Sequence, residues 1–141
     1  MNHSPLLFAT TATAFLSLGA CAPMDPSASR PDPKLAGPPV KVVGEARNCI
    51  RTQSIRHSKV RSDQVIDFEM VGSKVYRSTL SSRCPRLGYE KAFTYSTSIN
   101  QLCKQTIIRV ISPRAGQLDV GAGCSLGEFV PVEYVEDASD E

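Results

Sequence analysis

Val65-Ile66-Asp67-Phe68-Glu69-Met70-Val71-Gly72-Ser73-Lys74-Val75-Tyr76-Arg77-Ser78-Thr79-Leu80 carries the clearest pattern in this chain of 141 residues. Ile66, Phe68 and Met70 alternate with other residues, as in a strand with one buried face, and Tyr76 and Leu80 share a face beyond Gly72-Ser73. The two runs read as a hairpin. A two-residue loop at Gly72-Ser73 pairs Met70 with Val75 but sets Phe68 opposite Arg77. A three-residue loop pairs Met70 with Tyr76, Phe68 with Ser78 and Ile66 with Leu80. The longer loop keeps the apolar face together and is the expected one.

Outward from the hairpin, short apolar runs at 92–96, 106–111 and 129–134 read as further strands, and Ser112-Pro113-Arg114-Ala115-Gly116 as a loop. No segment of a dozen residues has a persuasive helical period. The stretch 44–54, with Ala46 and Ile50 four apart, is the place for a short helix. These signals predict a mainly β fold, a small antiparallel sheet or partly open barrel, over residues 45–135. That span suffices for one small domain, of a size that gains from cross-links.

The N-terminal region has another character. Residues 1–20 read as a signal peptide: Leu6 to Leu18 is apolar and Ala/Thr-rich, and too short to cross a bilayer as a helix. Leu18-Gly19-Ala20-Cys21 resembles a bacterial lipobox, which implies acylation of Cys21 and a membrane partner through that lipid anchor. Ala22, rather than Asp, after the cysteine resembles the sorting signal for an outer-membrane lipoprotein facing the periplasm. Ala20-Cys21-Ala22 also fits an A-x-A cleavage site, which implies instead a soluble periplasmic product. Six of the ten prolines lie between Pro23 and Pro39, so residues 21–44 read as an extended linker. Residues 136–141 form an acidic tail.

Cys49, Cys84, Cys103 and Cys124 remain. An even count in an exported chain reads as two disulfides. Their spacings of 35, 19 and 21 residues lack the close pairs of a zinc site, and no metal or other cofactor is expected. Three pairings are possible. Local closure favours Cys84 with Cys103, leaving Cys49 with Cys124 to tie the ends of the domain.

All 16 basic residues, but only 8 of the 14 acids, lie between Ala22 and Gly127, a formal charge of +8 for that portion. Arg51, Arg56, His57, Lys59 and Arg61 concentrate it into a candidate anion-binding face for lipid headgroups or an anionic envelope polymer. The alternative is a solvated edge strand. Nucleic acid is not an expected partner of an exported protein. Gly123-Cys124-Ser125-Leu126-Gly127 matches the G-x-S-x-G nucleophile elbow, but no histidine follows Ser125 and the next residues suit a strand. A small serine hydrolase using Ser125 with His57 is therefore the weaker alternative, and a glycine-rich turn the expected structure.

Cys49-Ile50, Val75-Tyr76, Leu80 with Cys84-Pro85-x-Leu87, Leu102-Cys103 and Cys124-x-Leu126-Gly127-x-Phe129-x-Pro131 resemble a family of small exported proteobacterial proteins classed as a domain of unknown function. In that family's pattern a Gly-Asp-like pair follows the third cysteine, where this chain has Lys104-Gln105. The resemblance implies no catalytic residue. The expected function is that of a lipid-anchored cell-envelope protein with a binding or structural role, acting on an envelope protein or polymer and not as an enzyme.

Overall fold

The computed structural model describes residues 37–114 and 116–135. The leader, Cys21, the linker up to residue 36 and the acidic tail lie outside the described residues. Within them the fold is mainly β, with small antiparallel sheets that do not close into a barrel.

The largest sheet has five strands in the order β1 (Val40–Val42), β10 (Phe129–Tyr134), β5 (Val75–Thr79), β4 (Val65–Met70) and β3 (Ile55–Val60). A two-stranded sheet joins β2 (Cys49–Arg51) to β7 (Gln101–Cys103). A three-stranded sheet orders β6 (Phe93–Tyr95), β8 (Ile107–Arg114) and β9 (Gln117–Ser125). A single turn of helix, α1 (Leu87–Glu90), precedes β6. Ile66, Phe68, Leu80, Ile108 and Phe129 are buried together between the five- and three-stranded sheets. The Phe68 ring meets Phe129 edge-on at 5.5 Å and Phe93, from the three-stranded sheet, at 6.4 Å. Each such pair adds about 0.5–1.5 kcal/mol beyond the area it buries.

The β4–β5 hairpin forms with a three-residue loop, as expected, but two residues out of the expected register. Its loop is Val71-Gly72-Ser73, closed by the Met70 N–H donating to the Lys74 carbonyl at 2.8 Å. Phe68 therefore pairs with Tyr76, and Ile66 with Ser78. A shift of two preserves which side chains share a face, so the apolar face alone cannot choose between these registers. The opposite face can. The expected register places Asp67 against Thr79, whereas the observed one sets it against Arg77, where both side chains are buried. A carboxylate removed from water requires a partner. Gly72 supplies a positive φ of 86° at the loop.

Four further expectations are corrected. Residues 49–51 are strand β2, followed by a short 3-10 turn at Thr52–Ser54, where a helix was expected. Residues 112–114, expected in a loop, continue β8. Pro113 is tolerated there because it lies past the residues that β6 covers. β9, over Gln117–Ser125, runs into the Gly123–Gly127 stretch expected to be a turn. β1 falls within the residues expected to be linker and pairs with β10, with Val40 opposite Tyr134.

The disulfides are Cys49–Cys103 and Cys84–Cys124, neither of them in the expected pairing. Cys49 and Cys103 lie directly opposite on β2 and β7, with Cα atoms 3.9 Å apart. Cys84, fully buried after β5, meets Cys124 on β9 with Cα atoms 5.8 Å apart. Strand adjacency, not loop length, sets the Cys49–Cys103 bridge, and tertiary packing of the segment after β5 against β9 sets the other.

Candidate anion-binding pocket

At the end of the large sheet marked by the Val71-Gly72-Ser73 loop, the hairpin approaches β2 and the segment before it. Arg47 is fixed there by two backbone hydrogen bonds with Phe129, N–H to carbonyl in each direction, at 2.8 and 2.9 Å. Its guanidinium lies over the Tyr76 ring, 5.9 Å from the centroid. Arg51 ends β2 and Lys74 follows the loop. These three cations line a pocket of about 360 Å³ whose floor includes Ile50, Met70 and Tyr76. Ser54 and Gln101 add a hydroxyl and an amide, and no carboxylate lines it.

The lack of a carboxylate among its described lining residues gives this pocket its chemistry, although Arg47 and Lys74 also border grooves that contain acids. Among the described residues Arg47, Arg51 and Lys74 make no ion pair. A unit anion about 4 Å from one of them gains ~1 kcal/mol in bulk water and ~4 kcal/mol at the lower effective dielectric of a partly enclosed site. The apolar floor lowers that dielectric on one side. Lys74 also lines two neighbouring grooves. One, of about 640 Å³, contains Glu45 and Glu133; the other, of about 350 Å³, contains Arg56 and His57 with Glu69. Both hold acids, which distinguishes the first pocket from them.

The five basic residues singled out in the sequence do not form one site. Arg51 lines the three-cation pocket, while Arg56 and His57 lie exposed on β3, an edge strand, beside the third groove. Lys59 is taken up by Glu69 at 2.5 Å. Arg61 turns into a different constellation on the second face of the large sheet.

That constellation centres on Asp67, which is fully buried. Arg77 donates through Nε to Oδ1 at 2.8 Å and through Nη2 to Oδ2 at 3.0 Å. Arg61 Nε donates to Oδ2 at 2.9 Å, and the Tyr134 hydroxyl donates to the same oxygen at 3.0 Å. Burial alone raises the Asp67 carboxyl pKa, but the hydrogen bonds from Arg77 and Arg61 outweigh it and hold the pKa below the ordinary carboxylate value. Burial pushes the Tyr134 hydroxyl pKa upward. Arg77 Nη1 also donates to the Pro38 carbonyl at 2.9 Å, holding the segment that leads into β1 against the sheet. Arg77, Arg61 and the Tyr134 hydroxyl all donate to Asp67, so this arrangement stabilises the sheet.

Ser125 ends β9 opposite Ile107 in the three-stranded sheet, whereas His57 lies on β3 of the five-stranded one. The glycine pattern around Ser125 has a structural cause. A Cβ on Gly127 would lie 1.9 Å from the Thr79 carbonyl oxygen, so only glycine permits that approach to β5. β10, not a helix, follows. Among the described residues no three His, Cys, Asp or Glu side chains are grouped to hold a metal ion, and no helix is long and apolar enough to cross a membrane. Comparison with protein-family profiles, curated proteins and solved structures finds no match to this chain.

Arg47 and Lys74, which join Arg51 in the pocket, are scattered in sequence and separated from the dense basic run at 56–61. Lys74 carries one local signal, its place directly after a glycine-containing loop. Arg47 carries none.

Proposed function

We propose that this chain is a lipid-anchored protein of the bacterial cell envelope whose domain binds an anionic group, without catalysis, in the pocket of Arg47, Arg51 and Lys74. The observation that carries the reading is three cations that make no ion pair among the described residues, around a partly apolar floor with no carboxylate among the described lining residues. The anchor rests on the lipobox-like Leu18-Gly19-Ala20-Cys21. Two disulfides favour an oxidising compartment, consistent with export.

Phosphate oxygens and carboxylates share the chemistry the pocket selects, and a lipid headgroup or an envelope polymer can present either. The test uses full-length protein in an uncharged detergent. Inorganic phosphate and pyrophosphate are titrated calorimetrically, and vesicles with and without phosphatidylglycerol are compared by co-sedimentation. Arg51→Glu and Lys74→Glu together are expected to weaken the bound probe at least about tenfold, ~1.4 kcal/mol. Arg83→Glu, on an exposed side chain elsewhere, should leave it unchanged. Equal affinity in all three proteins would refute the pocket. Mass spectrometry of the mature N-terminus tests the anchor separately, since an unmodified Cys21 refutes acylation and leaves the pocket untouched.

A further inference from the structure

The three-cation pocket does not stand alone. Arg47, Lys74 and Tyr76 line both it and the larger groove of about 640 Å³, so the two abut where the Arg47 guanidinium lies over the Tyr76 ring. Charge is divided between them. The smaller pocket adds Arg51 to the shared cations and has no carboxylate among its described lining residues, whereas the larger adds Glu45 and Glu133. Among the described residues none of these five charged side chains makes an ion pair, and Lys41, opposite Glu133 in register, makes none either. Opposite charges held apart along one cleft are complementary to a ligand that carries both signs.

The larger groove also offers backbone. The Val43 N–H donates to the Pro131 carbonyl at 3.0 Å, and Arg47 exchanges hydrogen bonds with Phe129. Between those two ties Gly44, Glu45 and Ala46 border the groove, and among the described residues their peptide groups make no backbone hydrogen bond. Main-chain N–H and C=O groups are strong hydrogen-bonding groups, and here three residues in succession keep theirs available. A phosphoethanolamine headgroup carries both signs of charge but no amide to meet them. A peptide has both.

We propose, resting on the anion-binding reading above, that the two pockets are the ends of one cleft for a short peptide with free termini. Its carboxylate lies among Arg47, Arg51 and Lys74, and its ammonium group beside Glu45 and Glu133. Three extended residues span about 10 Å, and both volumes fall in the range of about 300–1,000 Å³ that accepts small ligands. A ligand of that length holds its ammonium clear of Arg47 and Lys74, as a compact zwitterion does not. Each end alone is weak, because exposed charges are screened by water and salt. The acidic end is what selects a peptide over a simple anion.

The test titrates full-length protein in uncharged detergent, at neutral pH, with tri-alanine, N-acetyl-tri-alanine and tri-alanine amide. Tri-alanine should bind at least about tenfold more tightly than either blocked form, the loss expected when a charged hydrogen-bonding group goes without its partner. Glu45→Gln with Glu133→Gln, both at exposed positions, should bring tri-alanine down to the affinity of the acetylated form and leave pyrophosphate binding unchanged or tighter. Arg51→Glu with Lys74→Glu should weaken both probes. Tri-alanine that does not bind, or that binds no better than its acetylated form, overturns the proposal. So does a glutamine variant that still discriminates between the two. Where pyrophosphate still binds the wild type in those cases, the anion pocket stands and the peptide alone is refuted; loss of both probes refutes both readings. Where the glutamine variant does not fold, the three peptides on the wild type decide alone.

Discussion

Asp67 shows how one residue can fix a register that the apolar pattern leaves open. It alternates correctly for a solvent-facing position on β4, and so its burial is invisible in the sequence; the segment at Pro38 and the Tyr134 and Arg61 side chains meet it and Arg77 on that face. Removing Arg77 takes away two of the hydrogen bonds to the buried Asp67 carboxylate and leaves Arg61 and the Tyr134 hydroxyl, both on Oδ2, to compensate its charge in part. Arg77→Met should therefore cost about 3–5 kcal/mol by urea denaturation, with Asp67→Asn at the lower end because a neutral amide remains. The pH dependence follows from the depressed carboxyl. Its stabilisation is complete above the unfolded pKa, about 3.9, and is lost as pH falls through the lower folded value. Wild-type melting temperature should drop across that acidic window, while Asp67→Asn should start lower and lose less there. Gly127 is the opposite case, a residue whose role the sequence displays but misattributes. It belongs to a catalytic-looking motif, yet Gly127→Ala forces Cβ into the Thr79 carbonyl. We expect a loss of at least ~1–3 kcal/mol in the same assay.

At the scale of elements, the strands with alternating apolar residues were legible: β4, β5 and β10 lie where the pattern places them. β9 was not, because Gly121, Ala122 and Gly123 have little side chain with which to alternate, and its exposure removes the burial signal on both faces. β2 and β7 were missed for another reason. Three residues hold too little pattern to read, and a cross-strand disulfide supplies what their side chains do not. The chain-entropy estimate gives each bridge about 4 kcal/mol at these loop lengths. Peptide mapping without reduction should recover Cys49 linked to Cys103 and Cys84 linked to Cys124. Cys49→Ser with Cys103→Ser should lower stability by about 2–5 kcal/mol, and should also loosen Arg51, weakening anion binding along with the fold.

For the molecule as a whole, the basic excess was legible as a total but not as a site. The dense run at 56–61 divides between a solvated edge, an ion pair and the buried Asp67 cluster, while isolated Arg47 and Lys74 meet Arg51 across three segments. Binding through such a pocket is expected to weaken steadily with added salt, as exposed charges are screened beyond about 10 Å at 0.1 M. Titration of the phosphate-bearing probe over a salt series checks it, and an unchanged affinity counts against an electrostatic site. The order of strands in the large sheet has a further effect. β10, made last of the ten described strands, sits between β1 and β5, with strands bound on both its sides. A ribosome must therefore have released nearly all of the described chain before the sheet can close, and Phe129 is among the last pieces to enter the core. Until then the polypeptide has no finished fold to unravel, the condition in which a chain is most easily threaded through a narrow translocation channel.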